Sequence, residues 1–311
     1  MESIFEKKWI VVLTAIFCSV LWGSAFPVLK VSYEELQMAP DDTIAKIVFA
    51  GMRFLLAGVI ILIGMFISDR SKLLVTKRQA VFLFLFGILQ TGLQYFFFYN
   101  GLAKVSGMQG AILQSSGTFF VILLAHFFYK NDRINRKKIF GLVAGFAGII
   151  VANWGQDLQP TFQLTGEGYM ILAALTSAIG TIMAKELAVG IHPFALTGWQ
   201  LSIGAVLMLI IGLPQLEQDA IIFTPLGWGL FIYSALLSTA AFALWYSVLK
   251  FNKASEISMF KFITPVSGAV LSAMFIPGES LNAFIIGAMA LIAIGIIAVN
   301  YKGQREKAML R

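Results

Sequence analysis

The sequence predicts an all-α polytopic membrane protein in which ten transmembrane helices form two inverted five-helix repeats. Three observations support this fold class. Hydrophobic residues make up 59% and charged residues 13% of the 311 residues, whereas soluble chains are about 45–50% apolar and about 25% charged. Apolar runs long enough to cross a bilayer recur along the whole chain. The second half of the sequence also repeats the first.

The apolar runs cover most of the chain and are predicted to be helices. A transmembrane helix needs about 20 apolar residues, and continuous runs of that length argue against the alternating strands of about ten residues that build membrane barrels. Charged residues and helix breakers such as Asp41-Asp42 and Pro214 separate the runs. We place the spans at 8–30, 44–68, 78–100, 107–129, 136–154, 166–187, 193–213, 224–250, 255–277 and 280–301. These spans leave no room for a soluble domain.

The first span has some features of a secretory signal peptide but is predicted to be retained. Lys7 and Lys8 precede its apolar run, yet no Ala-x-Ala-type cleavage site follows. Cys18, the one cysteine of the sequence, lies within this span. An intramolecular disulfide and a multi-cysteine metal site are therefore excluded.

Lysines and arginines determine the predicted orientation. If the N-terminus is cytoplasmic, 18 of the 23 basic residues fall in cytoplasmic segments, while Lys30, Lys46 and Lys104 fall outside. Cytoplasmic loops of membrane proteins carry such an excess of basic residues. We therefore expect both termini in the cytoplasm. The net charge of +7 then reflects topology beside an anionic leaflet and gives little support to nucleic-acid binding.

An internal repeat relates the two halves at an offset of 147 residues. The segment Gly51-Met52-Arg53-Phe54 aligns with Gly198-Trp199-Gln200-Leu201, Tyr99 aligns with Tyr246, and segment 148–153 aligns with segment 295–300. The first span needs an offset near 155, which pairs Trp22 with Ser177. We divide the chain into repeats 1–154 and 155–311.

The two repeats are predicted to cross the membrane in opposite directions, because five spans per repeat is an odd number. The connector 130–138 carries five basic residues, whereas its counterpart, which begins at Pro277-Gly278-Glu279-Ser280, carries none. Inverted repeats are typical of alternating-access carriers, with the substrate site between the halves near the midplane. Duplication for fold stability alone is the alternative.

Short motifs in both halves support a family resemblance. They are Leu21-Trp22-Gly23-Ser24-Ala25-Phe26, Arg53-Phe54-Leu55-Leu56-Ala57, Gly110-Ala111-Ile112-Leu113-Gln114-Ser115, Leu237-Ser238-Thr239-Ala240, Leu244-Trp245-Tyr246, Pro265-Val266, Gly278-Glu279, and Gly287 with Gly295. In this order and spacing the chain resembles the EamA-type branch of the drug/metabolite transporter superfamily over essentially its whole length. The resemblance implies an exporting ten-helix carrier whose central cavity is lined mainly by spans 1, 3, 4, 6, 8 and 9. Asn131-Asp132 stands where the family usually has Gly-Glu, a departure that we expect to matter little for function.

The repeat selects a face of spans 3 and 8 for contact with a substrate. Two symmetry-related stripes carry rings and hydroxyl groups at helical spacing: Thr91, Tyr95, Phe98 and Leu102 on span 3, and Ser238, Phe242, Trp245 and Leu249 on span 8. Aromatic rings supply contact area, and their faces attract cations or stack on flat groups. The alternative is that the rings pack against lipid or neighbouring helices. Trp9, Trp154 and Trp228 lie near span ends and are predicted to be interface anchors.

Polar side chains within spans are further candidates, because they normally face the bundle interior. Gln90 and Gln94 lie one turn apart on span 3, and Gln114 and Thr118 lie one turn apart on span 4. Trp22 lies in span 1, and Ser177 and Thr181 lie in span 6. Interhelical hydrogen bonding, worth about 0.6 kcal/mol per bond, is the alternative role.

Two basic residues, Arg53 and Lys261, lie within spans. A central charge costs about 2.5–3.5 kcal/mol on insertion scales. We expect helix carbonyls or side-chain oxygens to satisfy Arg53. Lys261 lies one turn before Pro265, where a kink is expected. Its repeat counterpart is Gln114, and Lys261 either contacts an anionic group such as a carboxylate or snorkels to the nearby surface.

No Asp or Glu lies in the middle of a predicted span. Carboxylate-based proton exchange, as in the related small multidrug resistance proteins, therefore lacks its titrating group. We expect facilitated diffusion or exchange by rocking of the two halves. His126 and His192 lie near the cytoplasmic surface and are expected to be structural.

We predict a transporter of a small metabolite, an amino-acid-like solute or a drug, and not an enzyme. A receptor or assembly subunit without transport is the first alternative. A membrane-embedded enzyme is the second, but it would need clustered His, Asp or Glu at one membrane face. The expected partners are a small-molecule substrate and the lipid bilayer, without nucleic acid, metal or cofactor. We expect a monomer in a bacterial inner membrane. The predicted substrate-binding residues are Trp22, Gln94, Tyr95, Phe98, Gln114, Thr118, Thr181, Phe242, Trp245 and Lys261.

Overall fold

The computed structural model describes residues 2–39, 41–105, 107–152, 154, 162–276, 281 and 283–300. Within these ranges the chain is helical and contains no strand. The predicted division after residue 154 and the Gly278-Glu279 motif involve residues 155–161 and 277–280, which lie outside the described residues.

The described residues form ten long helices, as predicted. Their bounds are α1 Lys8–Glu35, α2 Thr43–Asp69, α3 Lys77–Leu102, α4 Gly107–Phe128, α5 Arg136–Ala152, α6 Leu164–Gly190, α7 Pro193–Gly212, α8 Pro225–Phe251, α9 Ala254–Phe275 and α10 Ala283–Asn300. Within the described ranges, 9 helices are long and apolar enough to cross a membrane. The tenth, α5, has 17 residues, at the lower limit of about 17–25 for a spanning helix.

The helix starts follow from local capping. An Asp42 carboxylate oxygen accepts a hydrogen bond from the Ala45 N–H at 2.8 Å, at the start of α2. Thr76 and Gln79 form a capping box at the start of α3. The Thr224 hydroxyl accepts from the Gly227 N–H at 3.0 Å at the start of α8, and Pro225 follows as the first helical residue, where a missing N–H costs no helical bond.

Helix α1 runs five residues beyond its predicted end at residue 30. The apolar run ends there, but Glu34 and Glu35 are good helix formers and continue the helix. Gln37, with φ of 56°, then adopts the left-handed conformation that ends the turn. The end of this apolar run therefore does not mark the end of the helix.

Helix packing follows the inverted repeat, in which α1 to α5 correspond to α6 to α10. The counterparts α2 and α7 pack against each other, as do α5 and α10. The pairs α1 with α9 and α1 with α8 recur as α6 with α4 and α6 with α3. This pattern of contacts is the one that a two-fold relation between the halves requires.

Glycines allow the two counterpart pairs to approach closely. A Cβ atom at Gly58 of α2 would lie 2.9 Å from the Gly198 carbonyl oxygen of α7. A Cβ atom at Gly141 of α5 would lie 3.1 Å from the Gly295 carbonyl oxygen of α10. Small residues at such crossings let helix backbones pack directly in a membrane.

Two helices are irregular in the middle of the bundle. Helix α3 contains a π-helical segment at Ile88–Leu93, and α9 contains a 3₁₀ segment at Met259–Phe262. The 3₁₀ segment lies just before Pro265, which has no N–H for the Lys261 carbonyl, as the sequence predicts. Departures of this kind re-aim the side chains of a helix and often mark functional positions.

Candidate functional site

Five of the predicted site residues form one group, which we call the Lys261 cluster. It consists of Trp22 of α1, Thr181 of α6, Phe242 and Trp245 of α8, and Lys261 of α9. The Trp22 ring centre lies 5.4 Å from that of Phe242 and 5.1 Å from that of Trp245, both edge-on. Such pairs of aromatic rings prefer this geometry. Four helices from both repeats therefore meet at this point.

Lys261 is the charged member of the cluster. Its Nζ atom lies 5.5 Å from the centre of the Trp245 ring, close enough for a cation–π interaction. The same atom donates to the Thr181 hydroxyl at 3.4 Å, and that hydroxyl donates to the Ser177 carbonyl at 2.9 Å. Among the described residues, no carboxylate lies within salt-bridge distance of Lys261. The cluster thus holds a cation without an opposite charge.

The Lys261 cluster lies within the helix bundle. Trp245 is 1% exposed and Thr181 is 3% exposed, so two of the side chains next to Lys261 are buried. Lys261 and Trp22 themselves are half-buried.

Tyr95 and Phe98 of α3 form a second aromatic group. The Tyr95 ring centre lies 4.6 Å from that of Phe54 and 6.3 Å from that of Phe98. Both residues are partly exposed and pack against the hydrophobic core that also contains Phe242 and Trp245. In the repeat alignment, Tyr95 is the counterpart of Phe242 and Phe98 is the counterpart of Trp245.

Three glutamines within the spans have side-chain oxygens that accept no hydrogen bond among the described residues. The Oε1 atoms of Gln90, Gln94 and Gln114 are buried and have no partner among the described residues. A buried polar atom without a partner is unfavourable in a bilayer. These oxygen atoms are available to N–H or O–H groups of a bound solute.

Thr118 is 2% exposed, and its hydroxyl donates to the Ser258 carbonyl at 3.3 Å. This bond joins α4 to α9. The interhelical role that the sequence left open for the polar residues therefore applies to Thr118. Within the described part of the chain, no hydrogen bond or ring contact joins Gln94, Gln114 or Thr118 to the Lys261 cluster.

Arg53 is 4% exposed and lies deep in α2. Its guanidinium carbon lies 4.4 Å from the centre of the Phe54 ring. Its Nε atom has no hydrogen-bond partner among the described residues. We expected carbonyl or side-chain oxygens to accept hydrogen bonds from Arg53, but Nε has no such acceptor among the described residues.

Sequence reasoning missed a polar network between α3, α7 and α8. The Gln200 amide donates to the Thr91 hydroxyl, and the Tyr246 hydroxyl donates to the Gln200 carbonyl oxygen at 3.2 Å. Thr91 lies in the π-helical segment of α3. The signal was present in the sequence, since Gln200 is an isolated amide in an apolar run and aligns with Arg53.

A buried ion pair of the first repeat contacts the second repeat at the start of α9. Lys138 Nζ lies 2.6 Å from an Asp132 carboxylate oxygen, and the two side chains are 3% and 1% exposed. The other Asp132 oxygen accepts from the Ser255 N–H at 3.1 Å, and the Ser255 hydroxyl also donates to Asp132. Asp132 therefore caps the start of α9 from the connector between α4 and α5.

Tyr129 lies beside this ion pair, just after α4. Burial, together with the neighbouring carboxylates of Glu186 and Asp132, raises the pKa of Tyr129 well above its ordinary value. Lys185 of α6 donates to the Leu249 carbonyl at 3.0 Å. The Lys185 contact joins α6 to the end of α8.

Comparison with known proteins gives one family. The model of the EamA-like transporter family matches residues 9–154 and residues 164–301. The uncharacterized transporter YoaV of Bacillus subtilis is 27% identical over 308 residues, which cover 96% of this chain and 99% of YoaV. Protein PecM of Dickeya dadantii is 25% identical and covers 91% of this chain and 90% of PecM. A solved crystal structure with 16% identity superposes with a TM-score of 0.74, covering 93% of this chain and 94% of that chain, and shares the fold.

Proposed function

Because the chain belongs to the EamA-like transporter family, we propose that it exports a small metabolite, an amino-acid-like solute or a drug by alternating access. Several related chains that span nearly its whole length, such as YoaV and YvbV of Bacillus subtilis, are described as uncharacterized transporters. The substrate binds in a central cavity between the two inverted repeats. Such carriers place their sites near the midplane, where the repeats meet.

The observation that carries the proposal is Lys261. A cation within a membrane-spanning helix is costly, and such residues mark substrate or ion paths. Lys261 rests on the Trp245 ring and the Thr181 hydroxyl without an opposite charge among the described residues. A substrate carboxylate would complete this arrangement with a charge-assisted hydrogen bond.

The surrounding groups favour a solute with an apolar or flat body. Trp22, Phe242 and Trp245 supply ring surface on one side of Lys261. The partnerless oxygens of Gln94 and Gln114 accept from N–H groups. An amino-acid-like solute with an apolar side chain combines a carboxylate for Lys261, an ammonium group for the amide oxygens and an apolar body for the rings.

Transport then follows from rocking of one repeat against the other. On the N-terminal side, Asp132 joins the first repeat to the start of α9, and Lys185 joins α6 to the end of α8. Opening toward that side requires the Asp132 contact with Ser255 to separate. No carboxylate within the cluster carries a proton, so the cycle runs as facilitated diffusion or exchange.

The proposal includes the orientation of the protein in the membrane. Both termini lie in the cytoplasm of a bacterial cell, the protein lies in the inner membrane as a monomer, and the N-terminal side is the cytoplasmic side. The excess of basic residues in the connectors on that side supports this orientation.

Counterflow in proteoliposomes tests the function. Purified protein is reconstituted with one member of a panel of unlabelled amino acids and organic acids inside the vesicles, and uptake of the labelled compound is followed. We expect exchange of at least one carboxylate-bearing solute above protein-free vesicles. A protein that binds such solutes but exchanges none of them would be a receptor, and the proposal would be wrong.

A further inference from the structure

The inverted repeat allows the two ends of the helix bundle to be compared position by position. Helix α4, Gly107–Phe128, aligns with α9, Ala254–Phe275, at the offset of 147 residues. Helix α1 aligns with α6 at the offset near 155, which pairs Lys30 with Lys185. In a bundle with a two-fold relation, counterpart positions lie at opposite ends and face lipid to the same extent. A difference in burial between counterparts therefore shows which end is packed more tightly.

The end of α8 and the start of α9 are packed more tightly than their counterparts. Leu249 near the end of α8 is fully buried, whereas Leu102 at the end of α3 is half-buried. Ser258 near the start of α9 is fully buried, whereas Ala111 near the start of α4 is half-buried. The bundle is therefore tight at the end where α8 leads into α9, and looser at the opposite end where α3 leads into α4.

Lys185 of α6 holds the tightly packed end. Its Nζ atom donates to the Leu249 carbonyl at 3.0 Å and to the Asn252 carbonyl at 2.5 Å. These carbonyls lie at the C-terminus of α8, where the last carbonyls of a helix have no partner within the helix and a positive charge is favourable. Lys185 thereby fastens α6 to the end of α8 with charge-assisted hydrogen bonds.

Lys30 of α1 stands in the equivalent place at the looser end. Lys30 and Lys185 each lie five residues before the last residue of their helix. The counterparts of the two carbonyl partners of Lys185 are Leu102 and Val105, at the C-terminus of α3. Lys30 is exposed, whereas Lys185 is half-buried. Lys30 also lies on the side that we predict to be outside, where basic residues are less common.

We propose that Lys185 and Lys30 are alternating clamps, which hold opposite ends of the bundle in the two states of the transport cycle. Lys185 holds the end of α8 in the state described above. In the opposite state Lys30 donates to the Leu102 and Val105 carbonyls at the end of α3. This inference rests on the transport function proposed above, because alternating access requires one end to open as the other closes. Both lysines are positioning residues, since they act on the balance between the two states and not on the substrate.

Thiol labelling of the purified protein tests the clamps without a substrate. The buried Cys18 is first removed by Cys18→Ala. Ser258→Cys then reports the tightly packed end, because the side chain changes by a single atom and a water-soluble maleimide reaches it only when this end opens. Ala111→Cys reports the counterpart position. We expect Ala111→Cys to react faster than Ser258→Cys, and the reverse order would contradict the difference in packing.

The two lysines are expected to change the labelling of Ser258→Cys in opposite directions. Lys185→Met speeds it at least about tenfold, because the charge-assisted hydrogen bonds that hold this end are lost. Lys30→Met slows it at least about tenfold, because the state in which this end is open loses its own clamp. The double change restores roughly the original rate. A general loss of stability would speed labelling in every variant, so the opposite signs identify clamps.

Lys46→Met is the matched control. Lys46 lies at the same end of the bundle as Lys30, and its ammonium group lies 5.4 Å from the centre of the Tyr33 ring. The labelling rate of Ser258→Cys is expected to be unchanged by Lys46→Met. Unchanged labelling in Lys30→Met as well would overturn the proposal. Since Lys30 is exposed, Lys30→Met is expected to fold, and it decides the test even if Lys185→Met does not fold.

A surface ion pair with Glu34, one turn further along α1, is the alternative role of Lys30. Glu34→Gln separates the two roles, and the proposal is wrong if this change slows labelling as much as Lys30→Met. Labelling that depends on both lysines, in a protein that exchanges none of the solutes, would leave the clamps in place and refute transport. Exchange in a protein whose labelling ignores both lysines would refute the clamps alone.

Discussion

The Lys261 ammonium group lies 5.5 Å from the centre of the Trp245 ring, and the two residues come from adjacent helices of the second repeat. The ring face attracts the cation, while the aligned residues of the first repeat, Gln114 and Phe98, are uncharged. The two halves of the bundle therefore share a fold and differ in charge. Because of this difference in charge, we propose that Lys261 binds the charged group of the substrate.

Trp245→Phe tests the contribution of the indole ring. The smaller ring keeps an aromatic face but contacts Trp22 and Lys261 less well, and the loss of about 0.5–1 kcal/mol of cation–π energy raises the transport KM about twofold to fivefold. Trp228→Phe is the matched control on the same helix, since Trp228 is 51% exposed. The KM of each variant is measured by exchange in proteoliposomes. If the two substitutions change KM equally, Trp245 does not contact the substrate.

Transport is expected to be independent of a pH gradient. The two histidines are engaged as acceptors, because His126 Nδ1 accepts from the Ile134 N–H at 3.1 Å and His192 Nδ1 accepts from the Phe194 N–H at 3.3 Å. Exchange rates are measured with and without a gradient, in the wild type and in the double His→Gln variant. Flux that follows the gradient in both proteins would refute exchange without proton coupling.

Asp132→Asn tests the contact between the halves. Lys138 is then left buried without its opposite charge, and breaking a buried pair in this way costs about 3–5 kcal/mol. We expect a clearly lower unfolding temperature in detergent. Asp69→Asn is the control, because Asp69 pairs with Lys72 on the surface, where ion pairs contribute little. If both variants unfold at the wild-type temperature, the buried Asp132–Lys138 pair does not stabilise the fold.

Gly58→Ala tests the packing of α2 against α7. The added methyl group would lie 2.9 Å from the Gly198 carbonyl oxygen, and such overpacking costs about 1–3 kcal/mol. Gly64→Ala on the same helix is the control, since nothing lies within 4 Å of its new Cβ, and alanine there is expected to be neutral or stabilising. Thermal unfolding of the two variants should therefore shift in different directions, and a loss of stability in Gly64→Ala alone would contradict the described packing.

The ten helices could be predicted from the sequence because each depends on its own apolar run. The alignment of Tyr99 with Tyr246 likewise identified the repeat. Within the site, Phe242 and Trp245 were predicted from helical spacing, and Trp22 and Thr181 were predicted as polar side chains within spans. The structure brings these four together with Lys261.

The π-helical segment of α3 could not be predicted, because its cause lies in another helix. A Cβ atom at Gly204 of α7 would lie 2.5 Å from the Gly87 carbonyl oxygen and 2.2 Å from Thr91 Cβ. The segment Ile88–Leu93 thus lies where α7 approaches most closely. A sequence pattern gives the period of a helix but not the fit to its neighbour, so the contacts of Gln90 and Thr91 with other helices were not predicted.

Exchange of a labelled carboxylate-bearing solute by the Lys261→Gln variant tests the central claim most directly. Glutamine keeps a hydrogen-bonding group on a slightly shorter side chain but removes the charge. Lys253→Gln at the start of the same helix is the control, since Lys253 pairs with Glu256 near the surface. We predict that Lys261→Gln lowers exchange by about 10-fold to 100-fold, the loss of a charge-assisted hydrogen bond, while Lys253→Gln exchanges like the wild type. Wild-type exchange by a correctly inserted Lys261→Gln variant would contradict the account.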